Sequence, residues 1–251
     1  MGILIVFEGI DGAGKTTQVN LLGEALRAAG ESPVISKEPT DGQWGRRLRE
    51  SAQNGRMPLD EELATFVLDR EEHARDVVLP ALERNQIVIL DRYLYSTIAY
   101  QGARGADFAA MQEQMRHFRR PDVTFLMDAD PVVTLCRIAH GRCERPNEFE
   151  KRDYLCHVRC IFNELEETEP SMVRLDAHQS IQELHRKILD VLIDGAFSAF
   201  KAKQYEHDCW SGLCSFGSTD NCRWLNLQAA LRDPFRCPAS TGRTARNQGS
   251  L

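Results

Sequence analysis

The sequence predicts an α/β protein: a parallel β-sheet of about five strands flanked by helices on both faces. Two observations carry this. Short apolar runs alternate with long helical patterns through residues 1–200, as they do when each strand is followed by a helix that crosses back over the sheet. The first run, Ile3-Leu4-Ile5-Val6-Phe7, leads into a glycine-rich loop and then a helical pattern, the strand-loop-helix order that opens a doubly wound sheet.

Taken in order, Ile3 to Phe7 form the first strand. Val19, Leu22, Leu26 and Ala29 then fall near helical spacing and Gly30 stands where a helix gives way to a left-handed residue, so residues 15–29 read as an amphipathic helix. Val34 and Ile35 begin a second strand. Residues 60–86 read as one long helix with Asp60 as its cap. Ile87-Val88-Ile89-Leu90, Val123-Thr124-Phe125-Leu126-Met127 and Met172-Val173-Arg174-Leu175 supply the other strands, and residues 131–140, 150–168 and 180–196 supply further helices. From about residue 201 the character changes. Ser, Gly, Asn, Cys and Arg replace periodic hydrophobics, with only a weak helical pattern from Trp224 to Leu231. The expected organisation is a domain over residues 1–200 followed by a poorly ordered, Cys-containing basic tail over 201–251, in which seven Lys or Arg face four Asp or Glu.

Composition narrows the function classes. A net charge of −6 and a pI near 5.7 argue against a protein that grips nucleic acid through a basic surface. The apolar stretches are too short to cross a bilayer, and the chain enters its first strand without a basic segment and cleavable apolar core, so a soluble cytoplasmic protein is expected. Of the eight cysteines, Cys136, Cys143, Cys156 and Cys160 are scattered through helix-like or loop sequence, where reduced thiols are ordinary. Cys209, Cys214, Cys222 and Cys237 crowd into the tail with His207. These are enough ligands for a tetrahedral zinc site, but four, seven and fourteen residues separate successive cysteines, so zinc and a plain extension both stay open.

Residues Gly9 to Thr16, GIDGAGKT, fit the G-x-x-x-x-G-K-[ST] phosphate-binding loop at every fixed position. Glycines let successive backbone N–H groups turn toward phosphates, and the helix that follows adds its N-terminal dipole. Lys15 would bridge the outer phosphates and Thr16 would offer its hydroxyl to Mg²⁺. The triphosphate-binding set is thus Gly9, Ile10, Asp11, Gly12, Ala13, Gly14, Lys15, Thr16 and Thr17. A mere glycine turn between strand and helix would need neither the lysine nor the hydroxyl. Asp91 ends a central strand beside this loop, where a carboxylate organises Mg²⁺ through water or else caps the segment starting near Leu94. Arg92 follows it, and a guanidinium there can clamp a second phosphate with two parallel hydrogen bonds. That points to an acceptor that is itself phosphorylated.

The runs FEGIDGAGKTTQ at Phe7 to Gln18, Glu38-Pro39 with Arg49 beyond it, LDREEH at Leu68 to His73, DRYLYSTIAYQG at Asp91 to Gly102 and RRPDVTFLMD at Arg119 to Asp128 together resemble the bacterial thymidylate kinases. They occur in that family's order with similar spacing, over about residues 1–196. The resemblance implies a P-loop nucleoside monophosphate kinase fold with a lid at about 141–150. It also implies transfer of the γ-phosphoryl group of ATP to dTMP, giving ADP and dTDP, with Mg²⁺ required, and a homodimer formed through helices.

Residue roles follow from the same resemblance. Asp11 would accept a hydrogen bond from the acceptor's 3′-hydroxyl, while Arg49 and Arg92 would hold its 5′-phosphate. Phe66 would stack on thymine, Arg70 would donate to a base carbonyl, and Thr97 with Ser96 would meet the base's polar edge, Gln101 belonging to the same substrate-binding group. Tyr100 would stand against C2′ and crowd out a ribose hydroxyl. Phe66, at i−4 from Arg70, has core packing as its alternative, and Tyr100 has packing under the sheet. Some family members carry a catalytic arginine in the phosphate loop; here Gly12 and Ala13 follow Asp11. The resemblance therefore implies catalytic arginines in the lid, Arg142 and Arg145, with Arg137 near the adenine or phosphates; a solvated charged loop is the alternative. Most members continue after Glu38-Pro39 with a glycine pair and threonine, whereas this chain has Thr40-Asp41-Gly42-Gln43-Trp44. Another deoxynucleoside monophosphate thus stays open as acceptor. A nucleotide-binding regulatory module without turnover is the other alternative, against which Lys15, Asp91, Arg92 and the lid arginines weigh.

Overall fold

The computed structural model describes residues 2–141, 148–197 and 219–232. Five parallel strands form one sheet in the order β2-β3-β1-β4-β5: β1 Ile3–Glu8, β2 Val34–Lys37, β3 Ile87–Asp91, β4 Val123–Asp128 and β5 Met172–Asp176. β1 is central and every one of its residues is buried, as a strand covered on both faces requires. β2 and β5 are the edges, and exposed positions appear in both. Adjacent β1 and β3 send their connections in opposite directions, β1 to β2 past β3 and β3 to β4 past β1. Right-handed crossovers then place helices on opposite faces and open a crevice beyond the C-terminal ends of these two strands.

One face carries α1 (Lys15–Ala28), α9 (Ile181–Val191) and α10 (Thr219–Arg232); the other carries α3 (Leu59–His73), α5 (Leu94–Gly102) and α8 (Glu148–Thr168). α1 buries Val19, Leu22 and Leu26, and it ends at Ala29 and Gly30, whose φ of 90° matches the expected left-handed stop. α9 opens with a capping box between Ser180 and Glu183. The expected helix over 60–86 is corrected in two ways. Leu59 is its first residue and Pro58 its cap, leaving Asp60 inside the first turn without a capping role, and the helix ends at Glu83. Between α3 and α4 (Leu79–Glu83) lies a π turn, Ala74–Val78, in which the Leu79 N–H reaches back five residues to Ala74. Pro80 follows it, and a proline supplies no N–H to an α-helical ladder.

Three helices escaped the sequence reading: α2 (Gln43–Asn54), α5 and α6 (Phe108–Met115), the last capped by the Asp107 carboxylate on the Ala110 N–H at 2.7 Å. α7 (Pro131–Gly141) leads toward the expected lid, but Arg142, Cys143 and Arg145 lie outside the described residues, as do His207, Cys209, Cys214, Cys237 and the side chain of Cys222. Within the 201–251 segment the structure describes α10, which packs on α1. Leu227 and Leu231 are buried in the core, Gln228 Nε2 donates to Ile193 O at 2.8 Å, and Arg232 pairs with Asp194 at 2.7 Å. No described helix is long and apolar enough to cross a membrane.

Candidate active site

The phosphate loop runs from β1 into α1, and its glycines are used as the motif demands. Gly9, Gly12 and Gly14 have φ values of 133°, 79° and 94°, which side chains rarely adopt. A Cβ at Gly9 would lie 2.5 Å from Met127 O, and one at Gly12 would lie 2.8 Å from Thr134 O. Ile10 and Ala13 are buried and anchor the loop to the core, while Thr16 and Thr17 face outward at the start of α1. Lys15 is buried, and its Nζ donates to Ile10 O at 2.9 Å across the loop. Burial and the nearby Arg92 charge bring its pKa down to about 8 against the opposing pull of Asp11, Asp91 and Glu8. A cation held this way is poised to gain from anionic phosphates. Thr16 Oγ1 donates to Asp91 Oδ2, so a hydroxyl and a carboxylate, both hard oxygen donors, stand together at the loop's mouth. That donor chemistry fits Mg²⁺.

Beyond the C-terminal ends of β1 and β3 a second cavity opens, lined by side chains that include Asp11, Glu38, Phe66, Arg70, Arg92, Thr97, Tyr100 and Gln101. Asp11 belongs to both places. Arg92 donates to Asp11 Oδ1 at 2.7 Å and to the Tyr100 hydroxyl at 3.2 Å through one nitrogen, and to Gly9 O at 3.1 Å and Ser96 Oγ at 2.9 Å through the other. Its guanidinium also sits 4.9 Å from the centre of the Tyr100 ring. Tyr100 in turn donates to Asp11 Oδ2 at 3.1 Å. The crowded cleft opposes ionisation of Asp11, but the Arg92 and Lys15 charges outweigh it and hold this carboxyl below its ordinary range. Burial works against the Arg92 charge and is overcome by Tyr100, Asp11, Glu8 and Asp91, so the guanidinium is locked in its charged form. Burial beside Asp11 pushes the Tyr100 hydroxyl up, keeping it protonated.

The cavity's floor is polar and buried. Arg70 on α3 is 1% exposed; it donates to Glu38 Oε2 and Thr97 Oγ1, each at 2.8 Å, and to Tyr93 O at 3.0 Å. His73 meets the other Glu38 oxygen at 3.0 Å and Ser36 Oγ at 2.8 Å. Burial raises the Glu38 carboxyl, but Arg70 and His73 more than reverse this and hold it ionised. Phe66 lines the cavity from the same helix. Gln101 is fully buried, and its Nε2 has no partner among the described residues. A buried amide donor without a partner is costly.

Not every expected residue gathers here. Arg49 on α2 donates to Pro39 O at 3.1 Å and pairs with Asp41 at 3.2 Å, next to the cavity wall and not among its lining residues. The Thr40–Trp44 stretch is anchored to α3, Thr40 donating to Asp69 from both its N–H (2.8 Å) and its hydroxyl (2.6 Å). Arg137 on α7 donates to Ala177 O at 3.0 Å, tying α7 to the loop after β5. Sequence reasoning gave no role to Glu8, to Glu38 or to Arg56, which also lines the cavity. Glu38 was quoted in a motif without a role, and Glu8 carried one legible signal: a carboxylate that extends a wholly apolar strand.

A phosphate loop is thus joined through Asp11 to a second cavity. The family model described as thymidylate kinase matches residues 7–188. The thymidylate kinase of Xanthomonas oryzae pv. oryzae (strain PXO99A) is 45% identical over 195 residues, 77% of this chain and 86% of that protein. That of Xanthomonas euvesicatoria pv. vesicatoria (strain 85-10) is 44% identical over the same length, and that of Xylella fastidiosa (strain M23) is 42% identical over 193 residues, 77% of this chain and 88% of that protein. All of the phosphate loop beyond β1, the Arg92 turn and the cavity residues fall inside the matched span, so the chain belongs to the thymidylate kinase family.

Proposed function

We propose that this chain transfers the γ-phosphoryl group of ATP to the 5′-phosphate of dTMP, giving ADP and dTDP. The observation that carries this reading is the Asp11–Arg92–Tyr100 cluster, which joins the triphosphate loop to a second cavity. Such transfer needs no covalent protein intermediate; it needs alignment of the two phosphates and dispersal of charge. Lys15 and the loop N–H groups hold the donor. Arg92 holds the acceptor phosphate, Asp11 takes the sugar hydroxyl, and Tyr100 packs against the sugar. Phe66 stacks on the base, while Thr97 and Gln101, which line the cavity with it, meet its polar edge. Arg70, fixed by Glu38 and His73, presents its guanidinium edge to the base from the cavity floor. Arg49 supports the acceptor loop through Pro39 and Asp41, and Arg137, held by Ala177 O, would stand near the adenine or the phosphates of the donor. Thr16 and Asp91 would hold Mg²⁺, whose charge when bound neutralises the outer phosphate oxygens. Arg142 and Arg145, outside the described residues, would add positive charge for the transferring group.

A homodimer accompanies this reading. α3 turns Glu62, Thr65, Asp69, Arg70 and His73 inward and leaves Leu63, Val67 and Leu68 along an open groove shared with Gln114 and His117. A second copy of the chain covers that apolar stripe. Light scattering behind size exclusion checks it, with twice the chain mass expected and a monomer contradicting it. For the activity, purified protein with ATP and Mg²⁺ should release ADP only when dTMP is added, and Lys15→Ala should abolish the release. Dependence on a different monophosphate would keep the reaction class and remove the dTMP assignment.

A further inference from the structure

Glu8 ends β1, and its carboxylate is fully buried behind five apolar residues. Three hydrogen bonds hold it to one turn. Oε1 accepts the N–H of Tyr93 at 3.0 Å and that of Ser96 at 3.1 Å, and Oε2 accepts the Ser96 hydroxyl. These are N–H groups that the start of a helix leaves without partners, and Tyr93, the residue before α5, offers no side-chain cap of its own. Phe7 O, one residue earlier, accepts the Arg92 N–H at 2.9 Å. Two consecutive β1 residues thus clamp the turn in which Arg92 stands at φ 71°, a conformation that a non-glycine residue keeps only where its surroundings enforce it.

We infer that Glu8 is a positioning residue for the acceptor phosphate: by taking the Ser96 hydroxyl proton it leaves Ser96 Oγ as an acceptor for Arg92, at 2.9 Å, and so aims the guanidinium into the cavity. This rests on the reading of Arg92 as the acceptor-phosphate clamp. A serine hydroxyl carries one proton, and once that is given to Glu8 only lone pairs face Arg92. A glutamine at this position keeps the volume but not the polarity. With its carbonyl toward the Tyr93 and Ser96 amides, its NH₂ faces Ser96 Oγ, the hydroxyl proton turns toward Arg92, and donor meets donor.

The test is calorimetric binding of dTMP and of thymidine, which lacks the phosphate, to wild type, Glu8→Gln and Glu8→Asp, together with KM for ATP. Wild type should bind dTMP more tightly than thymidine. Glu8→Gln should weaken dTMP by about tenfold, the size of one charge-assisted hydrogen bond, while thymidine affinity stays within about twofold and KM for ATP changes by less than the loss for dTMP. Should Glu8→Gln fail to fold, Glu8→Asp decides, since it keeps the charge and draws the carboxylate back from Ser96 Oγ; it must show the same phosphate-selective loss. Wild-type dTMP affinity in either folded variant overturns the inference, as does an equal loss for dTMP, thymidine and ATP, which marks a general structural role. If wild type binds thymidine as well as dTMP, the assignment of Arg92 fails first and takes this inference with it.

Discussion

Arg92→Lys keeps the charge at the centre of the site and removes the fork. In the protein one guanidinium nitrogen serves Gly9 O and Ser96 Oγ at 3.1 and 2.9 Å, and the other serves Asp11 and Tyr100 at 2.7 and 3.2 Å. A lysine ammonium concentrates its donors on one atom and serves one of these sides at a time. Against the acceptor phosphate the change forfeits one of two parallel charge-assisted hydrogen bonds, about 1.5–3 kcal/mol. Losing the Asp11 pair adds little, because the Asp11 side chain is 59% exposed. The kcat/KM for dTMP should therefore fall by roughly 10- to 200-fold, while KM for ATP stays within about twofold. Steady-state kinetics with dTMP varied at saturating ATP, then the reverse, measure both. An Arg92→Lys enzyme with wild-type kcat/KM for dTMP, or one whose loss falls equally on ATP, refutes the reasoning.

The remaining predictions concern the phosphate loop and the C-terminal helix. Lys15 in the free enzyme loses its charge as pH rises through about 8, so kcat/KM for ATP should decline above that pH while kcat, measured with phosphates against the ammonium, holds further; a flat kcat/KM profile through this range contradicts it. Gly12→Ala puts a Cβ 2.8 Å from Thr134 O at a φ of 79°, and the left-handed backbone alone costs about 1–2 kcal/mol. ATP affinity by titration and the melting temperature should both drop, and an unchanged pair of values shows that the loop relaxes freely. Leu227→Ala empties a core position on α10 and should loosen that helix by about 2–4 kcal/mol, seen as faster amide exchange over residues 219–232 with dTMP kinetics unchanged; wild-type protection there shows that Leu227 is not what docks the helix.

What the sequence made legible follows from where burial is apolar. The strands were readable because a parallel sheet covered on both faces makes continuous apolar runs, and Ile3 to Phe7 are all buried. The phosphate loop was readable because its glycines and lysine are fixed by geometry that few other arrangements need. α2 was not, since only Gly45 and Leu48 face inward from an otherwise polar segment. α5 was hidden for the opposite reason: Leu94 through Ala99 are buried all round, which erases helical periodicity. α3 inverts the usual pattern, with Arg70, Asp69 and His73 buried and Leu68 exposed, because its inner face hydrogen-bonds the segment after β2, Asp69 to Thr40 and Arg70 and His73 to Glu38. The Glu38–Arg70–His73 network and the Glu8 clamp join residues 32 to 88 positions apart in the chain, and no local pattern announces pairings at that range.

The central claim is the identity of the acceptor. Purified protein should be given ATP and Mg²⁺ with dTMP, dUMP, dCMP, dGMP and UMP in turn, and the nucleoside diphosphates separated and quantified beside ADP. The account predicts dTDP and ADP in equal amounts, with the kcat/KM for dTMP above that for every other monophosphate and UMP disfavoured by Tyr100 beside the sugar. Turnover of another monophosphate in preference to dTMP, or binding of ATP and dTMP without release of ADP, contradicts it.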